Sequence, residues 1–344
     1  MIKVKSLNSK SKIAVISPSN GLPYLFNDIY ELGLKNMEEL FDFKIVEYPT
    51  ARMSPDKLYK HPELRAKDIN DAFKDDSIDG IIISIGGYES IRILKFLDIE
   101  MIKNNPKLIM GFSDATTFLS YLSLNGLITF YGPSVMAGFA QLKHIDEKYK
   151  NNLIEFLTDL NVPYKYKSYD KYTNGYKDWN DKDTLGECES FYKNTGLDFF
   201  NESGKVKGKL WGGCIEVLEF LKGTKYFPKL EFFNDKILFF ETSEEKPTPD
   251  QVGYMLRNYG IQGILNRVKG IVFGRAKDYS ESEILELRKI IKDIIEIEFK
   301  VKNISIVMKA DFGHTDPKWI LPYGMEVLLD ADSKNIVLLE SPFN

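Results

Sequence analysis

The chain is poor in the residues that build the commonest staples and metal sites. Cysteine occurs twice, at Cys188 and Cys214, which excludes a disulfide framework and a cysteine zinc cluster. Histidine occurs three times, at His61, His144 and His314. That is too few for a His-rich metal site, and neither a metal nor another cofactor is expected. No apolar run approaches the ~18 residues of a membrane span. The apolar residues 13–16 follow a basic, polar start and stop at Ser17-Pro18, too short for a signal-peptide core. Positive charge is not in surplus either. The 46 Lys and Arg stand against 50 Asp and Glu, a net charge of −4, which excludes the broad basic footprint of a nucleic-acid binder. These absences predict a cytoplasmic protein with reduced thiols and no affinity for nucleic-acid polymers or membranes.

What is present suffices for a large core. The 344 residues are 43% hydrophobic, and at roughly 100–200 residues per domain two domains are expected. The first half alternates strand and helix signals. Strands are expected at 13–17, 44–48, 80–84 and 107–110, with helices at 24–41, 63–73 and 114–124. Short, wholly apolar strands between amphipathic helices imply a parallel sheet covered on both faces. Residues 164–205 are rich in Tyr, Lys, Asp, Asn and Gly without sustained period, and read as a linker and surface loop. The last third is α/β again, with strands at 236–240, 269–273, 304–308, 326–329 and 336–339. Thr248-Pro249 opens a helix that Gly260 is expected to close, and Ser280 with Glu283 forms a capping box before another.

Three residues stand where chemistry is done. In Gly111-Phe112-Ser113-Asp114-Ala115, Ser113 falls at a tight strand-to-helix turn, with the next N–H at the electropositive helix start. The same pair also fits an ordinary N-cap. Gly86-Gly87 ends the third strand, either as a plain turn or as a place where backbone approaches a ligand and offers an oxyanion donor. His314, in Asp311-Phe312-Gly313-His314-Thr315, is the one histidine at a strand end, and imidazole is the usual base for a serine hydroxyl. Glu241 ends a very apolar strand, where a carboxylate can orient an imidazole or simply form a salt bridge. The order Ser…Glu…His is also that of α/β-hydrolases. Cys214 opens an apolar helix and reads as a buried structural thiol.

Taken together, these motifs resemble the LD-carboxypeptidase family of serine peptidases. The residues that carry the resemblance are Ile13-Ala-Val-Ile-Ser-Pro-Ser19, Asp79-Gly-Ile-Ile-Ile-Ser-Ile-Gly-Gly-Tyr88, Gly111-Phe-Ser-Asp114 and Tyr131-Gly-Pro133. Gly208-Lys-Leu-Trp-Gly-Gly213, Leu221-Lys-Gly-Thr224, Ile237-Leu-Phe-Phe-Glu241, Gly313-His314 and Leu321-Pro322 continue it, over nearly the whole chain and in the family's order. Ser84-Ile-Gly-Gly-Tyr-Glu-Ser90, Glu241-Thr-Ser-Glu-Glu245 and Asp311-Phe-Gly-His-Thr315 resemble its microcin C self-immunity branch. Ile85 stands where the murein branch usually has Arg, and Glu89 where it has Gly. The resemblance implies a flavodoxin-like α/β domain over 1–163, a linker and substrate loop over 164–205, and a smaller α/β domain over 206–344. It also implies a homodimer, no metal, Ser113 as nucleophile, His314 as base, Glu241 as orienter, and an oxyanion hole from the N–H groups of Gly87 and Asp114.

The expected function is a serine carboxypeptidase-type amidohydrolase that cleaves a small peptide or an aminoacyl-nucleotide. The alternatives are a murein LD-carboxypeptidase, a non-enzymatic small-molecule binder using the same glycines, and an α/β-hydrolase. Expected substrate contacts are Gly86, Tyr88, Trp179, Glu244 and Glu245. Tyr169, Tyr172, Tyr176 and Trp179 crowd into the middle loop, either to stack on a nucleobase or to pack the loop down. If Glu244 and Glu245 border the cleft, they favour a free amine and repel phosphate unless a cation comes from elsewhere.

Overall fold

The computed structural model describes residues 1–201 and 204–344. The short apolar runs become strands β1 (Lys12–Ile16), β2 (Lys44–Glu47), β3 (Gly80–Ile83), β4 (Leu108–Gly111) and β5 (Phe130–Tyr131). Every residue of β3 and β4 is buried, as parallel strands covered on both faces must be. The order β5-β4-β3-β1-β2 is parallel throughout. This is the flavodoxin-like arrangement, in which ligands bind beyond the carboxyl ends of the strands where the order reverses, between β1 and β3.

The remaining strands are β6 (Tyr164–Tyr166), β7 (Lys171–Thr173), β8 (Phe191–Lys193), β9 (Asp198–Phe200), β10 (Lys205–Cys214), β11 (Lys236–Glu241), β12 (Gly270–Gly274), β13 (Ser305–Ala310), β14 (Leu321–Pro322), β15 (Glu326–Asp330) and β16 (Asn335–Leu338). Eight of them form a second sheet in the order β6-β16-β15-β10-β11-β12-β13-β9. Its centre, β10 to β13, is parallel, and its flanks are antiparallel. β14 instead joins the first sheet, antiparallel to β5, so the C-terminal part of the chain completes the N-terminal sheet. The helix Thr116–Leu124 lies between the halves and packs on β10 and the helix Ile215–Leu221. Even its hydroxyl residues Thr116, Thr117, Ser120 and Ser123 are therefore buried.

Several expectations change. The stretch read as linker and loop holds short strands at both ends, β6 and β9, which form the two edges of the second sheet. β7 and β8 pair as a hairpin within it. β10 escaped notice because Lys205, Lys207 and Lys209 face outward and Gly208, Gly212 and Gly213 interrupt the apolar run. The helix expected over 24–41 is two, Leu22–Leu25 and Asn27–Phe41, parted at Phe26. Gly260 does not end its helix, which runs over Pro249–Ile261. A side chain at Gly260 would collide with the Phe299 ring, and Gly263 takes the left-handed conformation beyond the helix end. Both expected starts hold, with full capping boxes at Thr248/Gln251 and Ser280/Glu283.

Candidate active site

Ser113 follows β4 and opens a single 3-10 turn before the helix Thr116–Leu124. Its φ is +62°, a conformation that costs a non-glycine residue about 1–3 kcal/mol and persists only where its surroundings enforce it. Part of that enforcement is its N–H, which donates to the Tyr131 hydroxyl at 3.1 Å. The turn after β3 comes so close that a Cβ on Gly86 would lie 2.9 Å from the Ser113 Cβ and 3.0 Å from its Oγ. The Asp114 carboxylate is fully buried and accepts the N–H groups of Glu89 and Ser90 at 3.1 and 2.9 Å. It thereby anchors the Gly86-Gly87 turn against Ser113, and burial pushes its pKa up.

Glu241 ends β11 and is 1% exposed. One oxygen accepts the Tyr131 hydroxyl. The other lies 2.7 Å from His314 Nδ1. His314 arrives on the segment between β13 and β14, and Gly313, at φ +99°, lets that segment close on Glu241, since a Cβ there would meet the carboxylate at 2.5 Å. The imidazole packs edge-on against Phe112 at 5.0 Å between ring centres. His314 Nε2 is 2.9 Å from a Glu244 oxygen. Burial opposes a charged imidazole, but Glu241 and Glu244 outweigh it and hold the His314 pKa up at about 10. The hydrogen bond to His314 in turn outweighs burial at Glu244 and lowers its carboxyl to about 2.

Ser113 and His314 line one cavity of about 450 Å³. It opens beyond the carboxyl ends of β1, β3 and β4 through Asn20, Gly86, Gly87 and Phe112, at the place the strand order predicts. Among the expected substrate contacts, Gly86, Tyr88, Trp179 and Glu244 line it. Glu245, against expectation, does not line it, because its carboxylate turns to accept the Tyr88 hydroxyl at 2.8 Å. The two neighbouring carboxylates are thus both engaged, Glu244 by His314 and Glu245 by Tyr88. The loop aromatics divide. Tyr176 and Trp179 line the cavity, stacked at 6.4 Å, with Trp179 also edge-on to Phe26. Tyr169 is buried with its hydroxyl on Asn152, and Tyr172 lies under the Arg275 guanidinium.

The loop is strapped to the His314 segment. Thr173 and Asp316 exchange backbone hydrogen bonds at 2.8 and 3.1 Å. The Tyr176 hydroxyl donates to the Asp316 carboxylate, which also pairs with the buried Lys318 ammonium at 2.9 Å. Lys318 in turn sits 4.5 Å over the Phe112 ring.

Several residues of the site escaped sequence reasoning, Asn174 and Glu189 of the middle loop among them. Tyr131 lies in the Tyr131-Gly-Pro133 motif, but nothing local says that its hydroxyl joins Ser113 to Glu241. Lys277 lines the cavity just past β12, and a basic residue beyond a buried parallel strand was the available signal. Asn20 sits likewise beyond β1. Cys214 is fully buried and its pKa raised by that burial, as a structural thiol requires. Among the described residues no helix is long and apolar enough to cross a membrane.

This architecture, with a cavity between a flavodoxin-like sheet and a second α/β unit, coincides with a known family. Residues 13–132 match the LD-carboxypeptidase N-terminal domain and residues 207–329 its C-terminal domain. The chain belongs to the LD-carboxypeptidase family. Among curated relatives, the microcin C7 self-immunity protein MccF of Escherichia coli is 31% identical over 80% of this chain and 78% of its own length. An MccF-like protein from Streptococcus pneumoniae, solved in complex with AMP, superposes with a TM-score of 0.85 at 29% identity, covering 96% of this chain and 98% of its own. MccF in complex with aspartyl sulfamoyl adenosine superposes at 0.87 and 25% identity, with both chains fully covered.

Proposed function

We propose that this protein is a serine amidohydrolase that cleaves aminoacyl-nucleotides of the microcin C type through an acyl-enzyme. Ser113 is the nucleophile, His314 the general base and Glu241 the carboxylate that orients it. The Ser113 hydroxyl passes its proton to His314 Nε2 as its oxygen bonds to the scissile carbonyl carbon. The N–H groups of Asp114 and Gly87 take the developing oxyanion. The imidazolium then protonates the leaving amine as the C–N bond breaks, and a water activated by the same His314 releases the acyl group.

The observation that carries this reading is the 2.7 Å contact of Glu241 with His314 Nδ1, on a ring that shares its cavity with the strained Ser113. A pure binder has no need of such a pairing. The substrate class is supported by Tyr176 and Trp179 in the cavity wall, which offer a nucleobase a stacking surface, and by Lys277, which offers a phosphate or sulfamate a cation. The ligands of the two solved relatives, AMP and aspartyl sulfamoyl adenosine, are of this kind.

The test is a cleavage panel that sets aminoacyl sulfamate and phosphoramidate nucleosides against murein tetrapeptide. Hydrolysis of the nucleosides, lost in Ser113→Ala with the fold intact, is expected. Preference for the tetrapeptide would move the protein to murein peptide release. Full activity in Ser113→Ala would end the mechanism.

A further inference from the structure

The two nitrogens of His314 meet carboxylates of very different character. Glu241, on Nδ1, is buried, whereas the Glu244 side chain, on Nε2, is about half exposed. The first cannot leave without stranding a charge, but the second can turn into the cavity or to water. Nε2 is also the atom that must take the Ser113 proton in the proposed reaction, so the 2.9 Å contact with Glu244 occupies the base.

The turn that presents Glu244 is held from outside itself. Glu216, on the helix Ile215–Leu221, accepts the N–H and the hydroxyl of Ser243 at 2.9 and 2.8 Å. From the opposite wall, Tyr88 holds Glu245. Between these anchors Glu244 is directed at His314. The charged groups around the pair are Glu241 from β11, with the Tyr131 hydroxyl on its other oxygen, and Lys277 from beyond β12, which favours the charged form of Glu244, while Glu189 of the middle loop lines the same cavity.

We propose that Glu244 is a specificity-determining residue that selects substrates bearing an ammonium group beside the scissile carbonyl, by exchanging His314 for that ammonium. The proposal rests on the roles given above to Ser113 and His314. In the free enzyme Glu244 keeps His314 protonated and its Nε2 occupied. A substrate ammonium takes the Glu244 carboxylate as its own partner. The imidazolium, left with Glu241 alone, binds its Nε2 proton less tightly, so a larger fraction of the rings gives that proton to water, and in those the neutral nitrogen accepts the proton of Ser113. An aminoacyl group carries its ammonium on the carbon next to the carbonyl, so this exchange ties activation of the base to recognition of the substrate. An N-acylated analogue offers no ammonium and leaves the contact closed.

Two measurements on Glu244→Gln test this. With only three histidines in the chain, the His314 ring protons can be titrated by NMR and assigned with His314→Gln. The His314 pKa is expected to fall by about one pH unit or more when Glu244 is neutralised, since one opposite charge within ~4–6 Å commonly shifts a pKa by that much. An unmoved titration would overturn the proposal. The second measurement compares kcat/KM for an aminoacyl sulfamate with that for its N-acetyl form. The wild-type preference for the free amine is expected to shrink about tenfold or more in Glu244→Gln, with the N-acetyl compound cleaved at least as fast as by wild type. An equal loss on both compounds would also overturn it. The titration is repeated in Ser113→Ala protein, so retained hydrolysis there refutes the nucleophile while the His314 titration judges Glu244 separately.

Discussion

The Ser113 N–H donates to the Tyr131 hydroxyl at 3.1 Å, and that hydroxyl passes its own proton toward Glu241. One phenol on β5 thus ties the strained turn of one sheet to the carboxylate of the other. Tyr131→Phe leaves a buried N–H without its acceptor and a buried carboxylate without its donor, at a cost of about 1–3 kcal/mol. If that loss falls on the transition state, kcat drops roughly 10- to 100-fold. Steady-state kinetics with chemical denaturation on the same protein separates the two effects. Unchanged kcat would show that the bridge does not align the site.

Gly86→Ala places a methyl group 2.9 Å from the Ser113 Cβ. The turn must retreat, and an oxyanion donor misplaced by about 1 Å costs about 100-fold in rate. Gly86 is itself buried, so the clash also lowers the melting temperature, and the rate is compared on protein that is still folded at the assay temperature. A variant with wild-type kcat/KM would remove the Gly86-Gly87 turn from the chemistry.

The pH dependence follows from His314. Its pKa is raised from an ordinary value near 6.5 to about 10. A base must be neutral to act, so kcat/KM for a substrate without an amine should climb from neutral pH toward about 10. The sign for stability is opposite. The carboxylate–imidazolium contacts stabilise the fold fully below about pH 6.5 and are lost as pH rises through about 10. The melting-temperature advantage of wild type over His314→Gln should therefore shrink over that interval. An advantage that grew with pH would mean that the ring is neutral in the fold.

Trp179→Ala should raise KM for nucleoside substrates by about 5- to 100-fold, the range expected for ~1–3 kcal/mol of base stacking. Cleavage of a murein tetrapeptide should be left alone. Equal effects on both substrates would mean that Trp179 serves only to pack against Phe26 and Tyr176.

Lys318→Met leaves Asp316 buried without its cation. Removing one partner of a buried pair costs about 3–5 kcal/mol. The Thr173–Asp316 hydrogen bonds should loosen with it, which faster amide exchange at Thr173 would report. Slow exchange at Thr173 in a destabilised variant would show that the loop is held by other contacts.

How much of this was legible beforehand differs from residue to residue. The strands of the first sheet could be read because each is a short buried run whose apolar character is local. The capping boxes at Thr248 and Ser280 could be read because partners three residues apart are set by helix geometry alone. The strand β10 could not, since its lysines and glycines make sense only beside β11 and β15. Gly260 reads locally as a stop signal, but the ring of Phe299 needs the space it leaves.

The same division runs through the site. Ser113, Glu241 and His314 were candidates from the sequence because each falls at a strand end, where a parallel sheet exposes side chains. Which carboxylate meets which nitrogen was decided only in three dimensions. Glu244 and Glu245 are neighbours of the same type, and no local pattern separates them. In the fold one reaches His314 and the other Tyr88, because Glu216, from the helix after β10, fixes the turn that carries both. Propensity and periodicity act over a few residues along the chain, whereas the partner of a side chain is set by the packing of elements distant in sequence.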